Sequence, residues 1–205
     1  VAVTIDKVID KGKRIAAMLL QAAESDIDYR DGQFRVRGSG REVSLFEVAE
    51  RSIELKRQGV IAESLDSQEK VKAPPSFPNG CHIAEVEIDP ESGTVAIVSY
   101  VAVGDCGNVL DDTIVTGQIH GGVAQGLGQA LTESTVYDAD GQLVSGSFMD
   151  YALPRAHDLP PMTVEHHAIA CKTIPLGVKG TGEAGTTAAP PAVINAILDA
   201  LPEGA

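Results

Sequence analysis

Apolar residues recur at helical spacing near the start of the chain. Ile5, Val8, Ile9, Ile15, Leu19 and Ala22 share one face, with Thr4 placed to cap it. Asp28 to Gly40 predicts a short hairpin turning on Asp31-Gly32, with Phe34 and Val36 on one face. Ser44-Leu45-Phe46-Glu47 has the pattern of a capping box, which opens a second helix running to about Gln58. From Val60 to Gly80 the periodicity disappears, charge is dense, and Pro74, Pro75 and Pro78 break any regular element. This connector is the best internal boundary. It separates a helical and hairpin segment (1–80) from a glycine-rich segment (81–205).

The second segment alternates differently. Ala84, Val86 and Ile88 interleave with Glu85, Glu87 and Asp89, the signature of a half-buried strand. A turn at Asp89 to Gly93 leads into Val95 to Val103, a nearly continuous apolar run that predicts a central strand. A helix is expected over Thr116 to Glu133, although it holds Gly117, Gly121, Gly122, Gly126 and Gly128. Each glycine costs a helix about 1 kcal/mol relative to alanine. A helix that tolerates this load packs very closely on a neighbour or a ligand. Further strands are predicted near Leu143 to Met149 and Met162 to Ala170. Val193, Ile194, Ile197, Leu198 and Leu201 form one face of a last helix, with Pro190 and Pro191 suited to its first turn and Pro202 to its end. The mixture predicts an α+β fold, a mixed sheet with packed helices.

Composition narrows the function. The 205 residues carry 16 Lys and Arg against 29 Asp and Glu, a net charge of −13, which argues against nucleic acid or an anionic membrane surface as partner. No apolar run approaches the roughly 20 residues of a membrane span. Cys81, Cys106 and Cys171 are far apart and form no C-x-x-C, so neither an iron–sulfur cluster nor a zinc ribbon is indicated and no metal ligand is assigned. Unpaired cysteines suit a reducing, cytoplasmic setting. The chain opens at Val1 directly in helical pattern, which reads as a piece of something longer.

The richest stretch for chemistry is Lys179-Gly180-Thr181-Gly182-Glu183-Ala184-Gly185. Its glycines let backbone approach a ligand closely, and a helix follows at once. Backbone N–H groups at a helix start suit an anionic ligand, and Glu183 beside it is a candidate general base. The blander alternative is a solvated first-turn glutamate favoured by the helix dipole. A free-standing phosphate binder is disfavoured, because no Walker lysine–serine pair is present.

Three segments in order carry a resemblance: Gly117-Gln118-Ile119-His120-Gly121-Gly122-Val123-Ala124-Gln125-Gly126-Leu127-Gly128, then Asp150-Tyr151-Ala152-Leu153-Pro154, then the Glu183 loop with its helix. Together they resemble the C-terminal part of the molybdenum-binding large subunit of the xanthine dehydrogenase/aldehyde oxidase family. Asp105-Cys106-Gly107 is most similar to the carbon-monoxide-dehydrogenase-type branch, while Asp111-Asp112 stands where the family has Asn-Pro.

The resemblance implies a molybdenum–molybdopterin cofactor, in bacteria usually as the cytosine dinucleotide. It implies hydroxylation of an aldehyde, N-heterocycle or similar small substrate with water-derived oxygen. Glu183 matches the general base, and Gln118 matches a glutamine hydrogen-bonded to the cofactor. Gly117, Gly180, Thr181 and Gly182 fall at cofactor contacts, and Lys179 either meets a phosphate or caps a strand end. The implied partners are the rest of the large subunit, a 2Fe–2S subunit and an FAD subunit. The family's site lies between two halves, so this chain supplies one wall and is expected to be inactive alone. The competing reading is a non-catalytic assembly or interaction fragment without bound cofactor.

The remaining candidates have plainer explanations. Gln125 reads as structural, and His120 as a hydrogen-bonded helix histidine. His166 and His167 point to opposite faces of a strand and cannot form a joint metal pair. His82 has no third ligand near it in sequence, Cys106 reads as a small buried thiol, and Arg155 and His157 as loop ties.

Overall fold

A computed structural model describes residues 1–202. The chain divides into two compact units, Val1–Lys72 and Ala73–Ala205.

In the first unit, helix α1 (Ala2–Leu20) packs on a three-stranded antiparallel sheet, β1 (Ile27–Arg30), β2 (Gln33–Val36) and β3 (Glu42–Ser44). Thr4 does not cap α1; the helix starts before it, with Val1 at the N-cap and no side-chain cap bond. The β1–β2 hairpin turns where the sequence predicts, with Asp31 and Gly32 both at positive φ, 51° and 76°. Those left-handed angles suit an Asp-Gly pair and match the twist of the strands. The third strand β3 is not evident in the sequence because it is only three residues long. It ends on Ser44, whose Oγ accepts from the Glu47 N–H at 3.1 Å and opens α2 (Leu45–Arg57). Ile15, Ala16, Phe34, Val43, Val48 and Leu65 form the core. A Cβ on Gly12 would lie 2.2 Å from the Phe34 ring, so only glycine lets α1 lie over that ring.

In the second unit, β4 (Asn79–Ile88) pairs antiparallel with β5 (Val95–Asp105), and β5 pairs parallel with β6 (Met162–His166). β5 is the central strand, as its apolar run implies. Helices α3 (Asp112–Leu131) and α4 (Ala184–Ala200) share a core with the sheet: Tyr100, Ala102, Ile119, Val123, Leu127, Ala189 and Val193. Helices and mixed sheets together make the fold α+β.

Several expectations are corrected. α3 begins at Asp112 rather than Thr116, because Asp111 caps it: its carboxylate accepts from the Ile114 N–H at 3.0 Å. Asp111, at the position where the resemblance expects Asn, thus keeps the capping role, since Asp and Asn cap equally well. Leu143 to Met149 is not a strand; only an isolated bridge joins Leu143 to Tyr137, and turns take the rest. β6 ends at His166, short of Ala170. Pro190 and Pro191 lie inside α4 rather than in its first turn. Pro190 fits there because it packs on α3 at Gly126, where an added Cβ would meet its Cδ at 2.9 Å.

The glycines of α3 divide by face. A Cβ on Gly122 would lie 2.9 Å from the Gly185 Cα, and one on Gly185 would lie 2.4 Å from the Ile119 carbonyl oxygen. Backbone meets backbone where α3 crosses the start of α4. Gly117 and Gly121 instead face open space.

Candidate functional site

A cleft of about 410 Å³ opens in the second unit, between the start of β4 and the start of α4. Gly180, Thr181, Gly182 and Glu183 form one wall and Asn79, Gly80 and His82 the other, with Gly104 and Ile119 also contributing. Its size is that of a small-molecule site.

The loop wall is held by a run of interactions with the end of β5. Gly107, at φ 70°, bridges to Val178; Asn108 N donates to Gly177 O at 3.0 Å, and Lys179 N to Cys106 O at 2.7 Å. Only glycine fits at 107, since a Cβ would stand 2.3 Å from the Gly177 oxygen. The Lys179 ammonium donates to the Asp105 carboxylate; Asp105 is buried and Lys179 partly buried. Asp105 also accepts from Gly107 N at 2.9 Å and Ile169 N at 3.1 Å. The Lys179 ammonium and these amides hold the Asp105 carboxyl well below the usual carboxylate range, against the opposing effect of burial. The Asp105-Cys106-Gly107 segment is therefore the anchor of the Glu183 loop.

Glu183 is the N-cap residue of α4 and its side chain makes no capping bond. Its backbone oxygen accepts from Thr187, from N at 3.1 Å and from Oγ1 at 2.9 Å, while its carboxylate is exposed. The positive end of α4 faces the cleft through Ala184. Two features of the loop fit a bound group. Cβ atoms on Gly180 and Gly182 would meet nothing within 4 Å, so bare backbone faces open space. The Thr181 Oγ1 is buried without a hydrogen-bond partner. A buried hydroxyl left unpaired is costly, and a ligand atom would relieve it.

The structure does not gather every predicted residue into this wall. Gln118 and Gly117 lie on the exposed side of α3, two turns into the helix rather than at its start, and only their neighbour Ile119 reaches the cleft. Lys179 is committed to Asp105 at the strand end. Gln125 accepts from Thr186 Oγ1 at 3.3 Å, and His120 Nδ1 meets Thr116 O at 3.0 Å. The Asp150-Tyr151 segment braces the end of α3: Tyr151 donates to Glu133 at 2.6 Å, and Pro154 lies against Gly128. Asn79, absent from the sequence candidates, and His82, set aside there for want of further metal ligands, both line the cleft; His82 keeps the same phase as Ala84, Val86 and Ile88, the one signal that it points inward. Among the described residues no three or more His, Cys, Asp or Glu gather as metal ligands, and no helix is long and apolar enough to cross a membrane.

Similarity to known proteins follows the same lines. The large subunit of nicotine 6-hydroxylase from Paenarthrobacter nicotinovorans is 39% identical over 192 residues, 91% of this chain and 23% of the relative. A Cu,Mo-CO dehydrogenase structure superposes with a TM-score of 0.83 at 28% identity, covering 95% of this chain and 25% of that one. Quinoline 2-oxidoreductase from Pseudomonas putida 86 superposes with a TM-score of 0.78 at 36% identity, over the same shares. The chain thus spans about a quarter of the length of the proteins it matches. The profile of the molybdopterin cofactor-binding domain matches residues 1–160, through α3 and its glycine motif, and with that match the chain belongs to the molybdopterin cofactor-binding domain family.

Proposed function

We propose that this chain forms one wall of the molybdenum site of a hydroxylase large subunit, with Glu183 as general base. The observation that carries the reading is the Glu183 loop: bare backbone at 180 and 182, an unpaired buried Thr181 hydroxyl, and a carboxylate unengaged by its own helix. Bound against this wall, the molybdenum pterin would supply the two-electron redox chemistry that no side chain here can provide. The loop backbone and the Thr181 hydroxyl would hold the group, and the α4 N-terminus would favour its negative charge. Gln118, which offers both a donor and an acceptor, and Gly117 lie outside this wall and would reach the group only where it extends past the cleft to the exposed face of α3. Lys179 serves by fixing the loop through Asp105. Glu183 takes a proton on a carboxylate oxygen, a step typically worth about 10²–10⁴-fold in rate.

The substrate class is a small molecule with an electron-poor carbon. An N-heterocycle fits best, because the two relatives named for nicotine and quinoline chemistry are 39% and 36% identical, against 28% for CO dehydrogenase. The cofactor is read as the cytosine dinucleotide form. The remainder of the large subunit, a 2Fe–2S subunit and an FAD subunit complete the enzyme; the nicotine relative is itself a large subunit, which implies smaller companions. Three free cysteines fit a cytoplasmic location.

The test is the complete large subunit, expressed with its companions and carrying Glu183→Gln. Metal and pterin content should stay at wild-type level while turnover of an N-heterocycle falls by about 10²–10⁴-fold. Undiminished turnover would remove Glu183 from the base role, and absence of molybdenum from the wild-type assembly would support the non-catalytic reading. Hydrolysis of the cofactor should release CMP.

A further inference from the structure

One cleft residue has no part in the reaction described above. His82 lies on β4 with its ring edge-on to Tyr100 on β5, centroids 5.6 Å apart, and its Nδ1 is 2.8 Å from the Tyr100 hydroxyl. Tyr100 is 1% exposed, and His82 is the hydroxyl's hydrogen-bond partner among the described residues. A buried phenol must place its proton on an acceptor, and Nδ1 is the acceptor within reach. A neutral imidazole whose Nδ1 accepts carries its own proton on Nε2. Burial pushes the Tyr100 phenol up to about 12 and the His82 imidazole down, so both stay neutral near pH 7. Nε2 makes no hydrogen bond among the described residues, yet it is not among the atoms sealed from solvent without a partner. His82 lines the same cleft as Gly180 to Glu183.

We propose that Tyr100 fixes His82 as its Nε2–H tautomer and that His82 thereby donates a hydrogen bond to an acceptor oxygen or ring nitrogen of the ligand in the Glu183 cleft. The inference rests on reading this cleft as the cofactor wall. A neutral donor suits that place because it can hold a phosphate or pterin oxygen without adding a positive charge that would weaken a nearby carboxylate as a base. Tyr100 is then a positioning residue, since it acts only through the imidazole.

The full 205-residue chain serves for the experiment. Side-chain nitrogen NMR near pH 7 should show His82 as the Nε2–H tautomer, and Tyr100→Phe should abolish that preference. Titration with pterin and with cytidine diphosphate, followed at the amides of 180–184, should show binding weakened about tenfold in His82→Phe. His82→Gln, which carries an N–H near the Nε2 position, should recover part of the loss. An Nδ1–H tautomer in the wild type would overturn the proposal. So would binding undiminished in His82→Phe while the 180–184 amides still respond, an outcome that leaves the cleft reading intact. Silence of those amides toward both probes would sink the cleft reading and the His82 role together.

Discussion

The Lys179 ammonium donates to the buried Asp105 carboxylate, joining the end of the central strand to the loop that carries Glu183, 74 residues away in sequence. The carboxylate also accepts from the Gly107 and Ile169 backbone amides and from Asn79 Nδ2. A buried charge left alone costs far more than a pair removed together. Asp105→Asn and Lys179→Met should each destabilise the chain, and the double variant should be less destabilised than the sum. Urea unfolding of the four proteins measures the coupling; strict additivity would show that the pair is not coupled.

The same pair sets a pH dependence. The Asp105 carboxyl is held below its ordinary value by Lys179 and by the Gly107 and Ile169 amides, so the folded state binds its proton less readily than the unfolded state. The contribution to stability is therefore complete above about pH 4, the unfolded value, and is lost as the pH falls from there through the folded value. Denaturant midpoints measured between pH 2 and pH 5 should fall less steeply for Asp105→Asn than for the wild type.

Glycine substitutions should separate the two faces of α3. At Gly122 and Gly185 an added Cβ meets backbone under 3.0 Å, so alanine there should cost about 1–3 kcal/mol by forcing the helices apart. At Gly117 and Gly121 nothing lies within 4 Å, and alanine should stabilise by about 0.5–1 kcal/mol through helix propensity. Thermal unfolding of the four variants decides it, and equal effects on both faces would refute close helix crossing as the reason for the glycines.

The Thr181 hydroxyl offers a test that distinguishes binding from folding. Thr181→Val keeps the shape and removes an unpaired buried oxygen, so the chain without cofactor should be as stable as the wild type or slightly more stable. The assembled enzyme should hold its molybdenum pterin less tightly, read as metal content after gel filtration. Equal retention would mean that the hydroxyl faces no ligand.

At the start of α3, Asp111→Ala should cost about 1 kcal/mol, while Asp111→Asn should be nearly neutral, because either short polar side chain can accept the Ile114 N–H. Chemical denaturation of the two variants gives the comparison.

Local chemistry made much of the fold legible. The Asp31-Gly32 turn, the Ser44 cap and the apolar run of β5 each announce themselves within a few residues, because turn geometry, capping and burial act over that range. Where long-range contacts decide, the sequence misleads. Leu143 to Met149 has strand composition, but among the described residues it finds no strand to pair with, apart from one bridge. Pro190 and Pro191 look like a helix start, yet α4 begins six residues before the first of them because Glu183 and Thr187 already close its first turn.

The sequence by itself determined the family, the α+β class and the loop to examine, since motifs and periodicity are written in consecutive residues. Only the tertiary structure decided that Lys179 is spent on Asp105, that Gly122 and Gly185 serve helix crossing, and that Gln118 stands apart from the wall holding Glu183. It alone brought His82 to the cleft and set Tyr100 behind it. Hydrogen bonds and close packing between residues distant in the chain leave little mark on local pattern, so these pairings exist only in the folded molecule.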